Sequence, residues 1–278
     1  MKRILSLIAA IVLACLPATI LGETDEAAME MLDAMQKLVR EADNITLSGT
    51  FDMEYTYRGE ATSVDYTDVT VYFHDPLIIH NIGINKRGES AEYFVVQQGD
   101  EFHKYASHID ESYMTDIEEI PADEMVAETM GEYDAITHIF DDVATSKIVG
   151  QETVAVNGAE IACTRIAATL HVDRMLEELV HNYLLSTPNS DHAWNDAIKA
   201  ALSHLTVPAD VWLNAETGFL VQYSFDYTDV VAGIYTNIDD AVDDGFTFTI
   251  YKGVYQVTGL NDAEEIVIPA KYIAFNEH

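Results

Sequence analysis

Apolar and polar side chains alternate along the chain from Ile45 to Tyr57. The apolar or aromatic set is Ile45, Leu47, Phe51, Met53, Tyr55 and Tyr57, and polar residues fill the positions between them. Successive side chains of a β-strand point to opposite faces, so this pattern predicts a half-buried antiparallel strand. Shorter strands are predicted over 62–73, 77–84, 91–98 and 101–106, and the tight turns between them indicate a meander.

The second half of the chain repeats the strand pattern around a strong turn signal. Asn157-Gly158 favours a type I′ turn, which predicts a hairpin of strands 146–156 and 159–170. A strand over 209–214 is followed by a turn and by alternating apolar residues from Phe219 to Tyr227. Two closing strands are predicted near 246–257 and 264–268.

Four segments have helical spacing instead. The first is 24–42, where Thr24 is a candidate N-cap and Met31, Met35, Leu38 and Ala42 share one face. The others are 122–143, 174–185 and 191–205. No linker divides the chain. We therefore expect one α+β domain, a single curved antiparallel β-sheet (a half-barrel) with helices packed on its concave face.

The N-terminus has the order of a secretory signal peptide. Lys2 and Arg3 precede an uncharged apolar run that Pro17 interrupts, and Gly22 offers a small residue for cleavage. This predicts a signal peptide over 1–22 and a mature domain over 23–278. Two alternatives stay open: the segment is retained as an anchor, or Cys15 is lipidated and tethers the protein to the membrane.

Charge narrows the classes of partner. The chain has 48 acidic and 14 basic residues and a formal net charge of −34. Such a surface repels phosphate backbones and anionic headgroups, so we expect no nucleic-acid partner. The expected location is extracellular or in the cell envelope, on the outer face of the cytoplasmic membrane if Cys15 is lipidated. The oligomeric state is not indicated.

Patterns that carry catalytic or metal chemistry are missing from the sequence. Glu178 and His181 form a single Glu-x-x-His pair, whereas a di-iron site needs two. The acidic run before Gly245 would place Val242 and Tyr251 at ligand positions of a calcium loop, so it is not an EF-hand. No nucleophile elbow or phosphate-binding loop is present. We expect neither an enzyme nor a cofactor or metal.

Aromatic residues are abundant, with 15 Tyr, 10 Phe and 2 Trp. Several fall on the expected inner faces of long strands, where they either fill the core or line a cleft for a lipid-like guest. The candidate ligand-lining residues are Phe51, Met53, Tyr55, Trp194, Leu202, Phe219, Tyr223 and Phe225.

The order of these elements resembles the LolA/LppX/LprG superfamily of bacterial envelope proteins, and is similar to secreted lipoproteins of Gram-positive bacteria. The resemblance rests on the leading helix, the Phe51 strand, 71–76, 93–96, the strand–turn–strand of 210–219 and the ending 266–269. It implies a half-barrel wrapped around helices, with an apolar cavity that holds lipid or acyl chains in known members. No ligand residue of the family transfers to a position of this chain.

These observations predict an exported, envelope-associated, non-catalytic binding or carrier protein for a hydrophobic or amphiphilic ligand. One rival is a structural or protein-interaction module with a filled core and an acidic, cation-binding surface. A secreted hydrolase is the third alternative.

Overall fold

The computed structural model describes residues 24–85, 88, 90–98, 101–106, 140, 143–172, 202–236 and 245–269. Two helices and ten strands lie in these ranges. The elements are α1 (Glu26–Glu41), β1 (Asn44–Tyr57), β2 (Glu60–His74), β3 (Leu77–Asn85), β4 (Ser90–Gln98), β5 (Glu101–Ala106), β6 (Val143–Val156), β7 (Ala159–His171), β8 (Thr206–Asn214), β9 (Leu220–Asp226), α2 (Thr228–Thr236) and β10 (Thr247–Leu260).

The strands form one curved antiparallel sheet in the order β5-β4-β3-β2-β1-β10-β9-β8-β7-β6. Each half is a meander, and the last strand, β10, joins the halves by pairing with β1 on one side and β9 on the other. The expected α+β half-barrel with a single sheet is therefore confirmed.

Helix α1 lies on the concave face and covers one end of it. Its N-cap is Asp25, whose side chain accepts a hydrogen bond from the Ala27 amide at 3.0 Å, rather than the predicted Thr24. The predicted apolar face is also rotated, because Leu38 is 36 % exposed. The residues that α1 buries are Ala28, Leu32, Met35, Gln36 and Val39.

The main hydrophobic core lies between α1 and the sheet. Its strand residues are the inward-facing positions of β1 and β7–β9, and the largest fully buried ones include Ile45, Ile166, Val207 and Leu213. Helix α2 adds Val230 and Ile234 to the same core. The core therefore closes the concave face where α1 crosses it.

The predicted type I′ hairpin turn is confirmed. Asn157 and Gly158 have φ angles of 50° and 79°, the left-handed values that this turn requires at both central positions. The hairpin tip lies against the convex face, where Asn157 Nδ2 donates to the Thr258 carbonyl at 2.8 Å. A small second core of Val154, Val156, Cys163 and Val221 is buried beneath it.

One predicted strand is wrong, and one helix was not predicted. Residues 264–268 form no strand, so the sheet ends with β10 in the part of the chain that the structure describes. Helix α2 was not predicted, although Asp226 caps its start by accepting from the Thr228 amide at 3.1 Å. The predicted helices 122–143, 174–185 and 191–205 lie almost wholly outside the described residues, but Val143 belongs to β6.

None of the helices in the described ranges is both long enough and apolar enough to cross a bilayer.

Candidate functional site

Aromatic rings follow one another along the concave face of β1, β9 and β10. Each ring has its centroid within 6.4 Å of at least one other ring of the series. We call this series the aromatic row, and its members are Phe140, Tyr223, Phe225, Tyr255, Tyr227, Tyr251, Phe51, Phe248, Tyr235, Phe246, Tyr55 and Tyr57.

The row begins inside the main core. Tyr223 is 5 % exposed, stacks on Tyr255 with centroids 5.2 Å apart, and meets the edge of Phe140 at 6.2 Å. Burial raises the pKa of the Tyr223 phenol well above its usual value, and electrostatic interactions with three other tyrosines and with Asp68 raise it further. This end of the row is packed like a protein interior.

The other end of the row is partly open. Phe51 and Tyr55 are only half-buried, although they face the same side of β1 as the buried Ile45. Phe51 makes an edge contact with Tyr251 at 4.7 Å, and Tyr55 stacks on Phe246 at 5.1 Å. Partly exposed rings on a concave surface offer apolar area to a guest.

The row reaches the surface at the hairpin between β1 and β2. Tyr57 is 38 % exposed there, and the Arg58 guanidinium lies 4.9 Å from the centroid of its ring. The row therefore runs from the core to solvent at the end of the sheet where β1 turns into β2.

Two glycines let the rings lie flat on the sheet. A Cβ atom on Gly253 would stand 2.4 Å from Cζ of Phe225. One on Gly49 would stand 2.4 Å from Cε1 of Tyr255 and 2.0 Å from Oδ1 of Asp68. Since real Cβ atoms do not approach other atoms so closely, only glycine admits these neighbours without a shift.

A polar cluster lies beside the row, on the inner face of β2 and β3. Asn81 Nδ2 donates to Thr70 Oγ1 at 2.6 Å and to Asp68 Oδ2 at 3.4 Å. Asn81 and Thr70 are buried, while Asp68 is partly exposed. Burial raises the pKa of the Asp68 carboxyl, against the opposing effect of hydrogen bonds from Asn81 and Thr70.

The structure brings together most of the ligand-lining residues that the sequence nominated. Phe51, Tyr55, Tyr223 and Phe225 are members of the aromatic row, and Met53 lies on the same face, opposite Tyr251. Leu202 and Phe219 pack in or against the main core at the closed end of the row. Trp194 and Cys15 lie outside the described residues.

Sequence reasoning missed the contribution of β10 and the polar cluster. Phe248, Tyr251 and Tyr255 belong to the row because β10 returns to pair with β1, a long-range pairing that no local pattern announces. Asp68 shares its face of β2 with Thr70 and Tyr72, and only the register of β2 on β1 shows that this face is the inner one.

The described residues hold no group of three or more His, Cys, Asp or Glu side chains placed to bind a metal ion. Cys163 is a free, fully buried thiol, and burial raises its pKa. It therefore packs as a small apolar residue.

No protein-family model matches the chain, and no curated protein matches it in sequence. Solved structures with a similar fold include the lipoprotein LppX of Mycobacterium tuberculosis, at 12 % identity and a TM-score of 0.42, with 88 % of this chain and 100 % of that chain covered. LprF of Mycobacterium bovis is similar at 12 % identity and a TM-score of 0.40, covering 90 % of this chain and 100 % of that one. A DUF1329 family protein of Desulfovibrio piger gives 11 % identity and a TM-score of 0.25 over 88 % and 96 % of the two chains.

These neighbours agree with the resemblance to the LolA/LppX/LprG superfamily that the sequence indicated, and the likeness is one of fold alone. At these TM-scores nothing about a ligand or an activity passes from those proteins to this chain.

Proposed function

We propose that this chain is a non-catalytic binding protein that shelters an apolar or amphiphilic molecule against the concave face of its sheet. The observation that carries the proposal is the half-burial of Phe51, Met53 and Tyr55 on a face whose other end is fully packed. Concave apolar surface left partly accessible to solvent is typical of a ligand site.

The geometry of the row suits a long, narrow guest. Its rings are contiguous from the exposed Tyr57 to the buried Tyr223, so an acyl chain that lies along the row would meet apolar surface over its whole length. Burying apolar surface stabilises a complex by about 25 cal/mol for each Å² removed from water. The proposed lining is the set nominated from the sequence, together with Tyr251, Phe248 and Phe246.

We place this binding protein outside the cytoplasm, in the cell envelope or the medium. Residues 1–22 carry the order of an export signal, and the mature domain would extend over 23–278. Lipidation at Cys15 would tether the domain to the membrane, whereas cleavage after Gly22 would release it. The lipoprotein character of LppX is in keeping with an envelope location.

The test begins with the protein that cells export, purified without detergent. Native mass spectrometry is expected to show a co-purified guest, and the N-terminal sequence of the same sample reports whether processing occurred at Gly22 or Cys15. The delipidated protein is then titrated with N-phenyl-1-naphthylamine, an uncharged probe that fluoresces in apolar surroundings.

Matched variants locate the site. The double variant Phe51→Ala/Tyr55→Ala is expected to bind the probe about tenfold or more weakly, because each truncation removes apolar contact area. The control Val69→Ala/Val254→Ala removes residues of the convex face that are 40 % and 37 % exposed, and is expected to bind as the wild type does. A protein that carries no guest and binds no probe would favour the rival, an interaction module with a filled core.

A further inference from the structure

Asp68 is placed unusually for an acidic residue of such a highly charged chain. Its side chain lies on the concave face, and its neighbours in register are Gly49 on β1 and Gly83 on β3. Neither glycine supplies a side chain that could cover the carboxylate. Asp68 therefore stays partly exposed on the inner face while Thr70 and Asn81 beside it are buried.

The carboxylate lacks a compensating charge among the described residues. Its side-chain partners there are Asn81 and Thr70, at 3.4 and 3.5 Å, and the backbone amides of Gly49 and of Asp68 itself also donate to it, so that all these partners are uncharged. A partly desolvated carboxylate without an opposite charge is destabilising, and a bound cation would offset that cost.

A tyrosine ring lies beside the same position. A Cβ atom on Gly49 would stand 2.0 Å from Asp68 Oδ1 and 2.4 Å from Tyr255 Cε1, so the Tyr255 ring is next to the carboxylate. Tyr255 in turn stacks on Tyr223, with ring centroids 5.2 Å apart. Aromatic rings together with a carboxylate are the chemistry that recognises alkylammonium groups, through cation–π attraction and ion pairing.

We infer that Asp68, with Tyr255 beside it, binds the positively charged alkylammonium headgroup of an amphiphile whose apolar tail lies along the aromatic row. This inference rests on the proposed function and names the chemical class of its ligand. An anionic headgroup is disfavoured twice, by the Asp68 carboxylate and by the net charge of −34.

The experiment compares two probes that share one tail and differ in headgroup charge. Dodecyltrimethylammonium is a permanent cation, and dodecyldimethylamine N-oxide is uncharged at neutral pH. Both are titrated below their micelle concentrations into the delipidated protein at physiological salt, by calorimetry. The wild type is expected to bind the cation about tenfold or more tightly than the N-oxide.

Two variants that remove the same charge separate a local site from general attraction to an acidic protein. Asp68→Asn is expected to lose about tenfold in affinity for the cation and to change little for the N-oxide. Asp52→Asn alters an exposed carboxylate on the convex face of β1 and is expected to leave both affinities unchanged. Because the wild-type carboxylate is unfavourably buried, Asp68→Asn should also melt no earlier than the wild type, so loss of folding does not explain the loss of binding.

The outcomes distinguish this inference from the proposed function. Equal binding of the two probes, or equal effects of the two variants, would overturn the headgroup assignment while leaving the apolar site in place. If neither probe binds, the proposed function and the headgroup assignment both fall.

Discussion

The two halves of strand β1 have the same alternating sequence pattern and different surroundings. In the first half, Ile45 and Leu47 are 1 % and 3 % exposed in the main core. In the second half, Phe51, Met53 and Tyr55 face the same side of the sheet and remain half-buried. Alternation therefore determines which face a side chain occupies, and what packs on that face determines how deeply the side chain is buried.

Among the described residues, α1 is the longer of the two helices that pack against the main core. It has 16 residues and is about 24 Å long, so it covers one end of the concave face. Gly49 and Asp68 lie near the point on β1 where full burial ends. The polar cluster thus lies at the boundary between the fully buried half and the partly exposed half of this face.

The largest expected effect comes from equal truncations in the two halves. Leu213→Ala removes a side chain that is 0 % exposed, and we expect a loss of about 3 kcal/mol in the free energy of unfolding. Met53→Ala removes a similar volume from the open half, where the side chain is only half-buried and already meets water. Its expected cost is about 1 kcal/mol. Urea unfolding of the delipidated protein measures both.

A bound ligand gives a second measure of the difference between the two halves. Saturation with a bound guest should raise the stability of the wild type more than that of Met53→Ala, because the truncated site binds less tightly. Equal losses for Leu213→Ala and Met53→Ala would show that the open half is packed as tightly as the core, and would break the comparison.

The fold was largely predictable because its strands are long and regular. The alternation from Ile45 to Tyr57 and the Asn157-Gly158 turn are local signals, and the structure follows them closely. Helix α2 was missed because it interrupts a run of strands and has only 9 residues, too few for a clear helical period. Leu38 was wrongly placed on the buried face because α1 has apolar residues on two adjoining stripes. The sequence does not show which of the two stripes packs against the sheet.

The candidate site was predictable only in part, for a topological reason. The sequence nominated rings on β1 and β9, whose alternation is visible locally. It could not place Tyr251 and Tyr255 beside them, because β10 pairs with β1 across some two hundred residues of chain. Nor could it show that Asp68 faces inward next to Gly49, since that depends on register.

An intermediate effect is expected at the boundary itself. Gly49→Ala would place a Cβ 2.0 Å from Asp68 Oδ1 and 2.4 Å from the Tyr255 ring, so both groups must move. Overpacking of this kind costs about 1–3 kcal/mol, and we expect a loss in that range by urea unfolding. Ser48→Ala, on the opposite face of the same strand, should stay within about 0.5 kcal/mol of the wild type. A neutral Gly49→Ala would mean that the carboxylate and the ring have free space to withdraw into.

The smallest effects are expected from two carboxylates whose pKa values are shifted in opposite directions. Asp68 faces inward, and burial raises its pKa. Glu152 lies on the convex side, where burial is outweighed by hydrogen bonds from Trp212 at 2.9 Å and Arg165 at 3.1 Å, so its pKa is lowered. The folded state therefore disfavours the ionised form of Asp68 and favours the ionised form of Glu152.

Because the two pKa values are shifted in opposite directions, the two carboxylates change the stability of the fold with pH in opposite senses. A raised pKa in the folded state means that the ionised Asp68 destabilises the fold above that pKa, so Asp68→Asn should stabilise the protein at neutral pH by at most about 1 kcal/mol. The gain should disappear as the pH falls below the ordinary carboxyl value. For Glu152 the sign reverses: its ionised form stabilises the fold above the ordinary value, and this contribution is lost as the pH falls through the lowered pKa.

Glu152→Gln should therefore destabilise the protein at neutral pH, by about 0.5 kcal/mol because the side chain is 40 % exposed. Thermal unfolding of both variants and the wild type across the acidic range measures the two differences, which should converge toward zero at low pH from opposite sides. If Asp68→Asn instead destabilises the protein, Asp68 has a structural role. The open half would then have no group that selects a cationic amphiphile over other apolar ligands. Stabilisation together with weaker binding of a cationic amphiphile is the pattern of a residue retained for what it binds, because packing alone would favour its replacement.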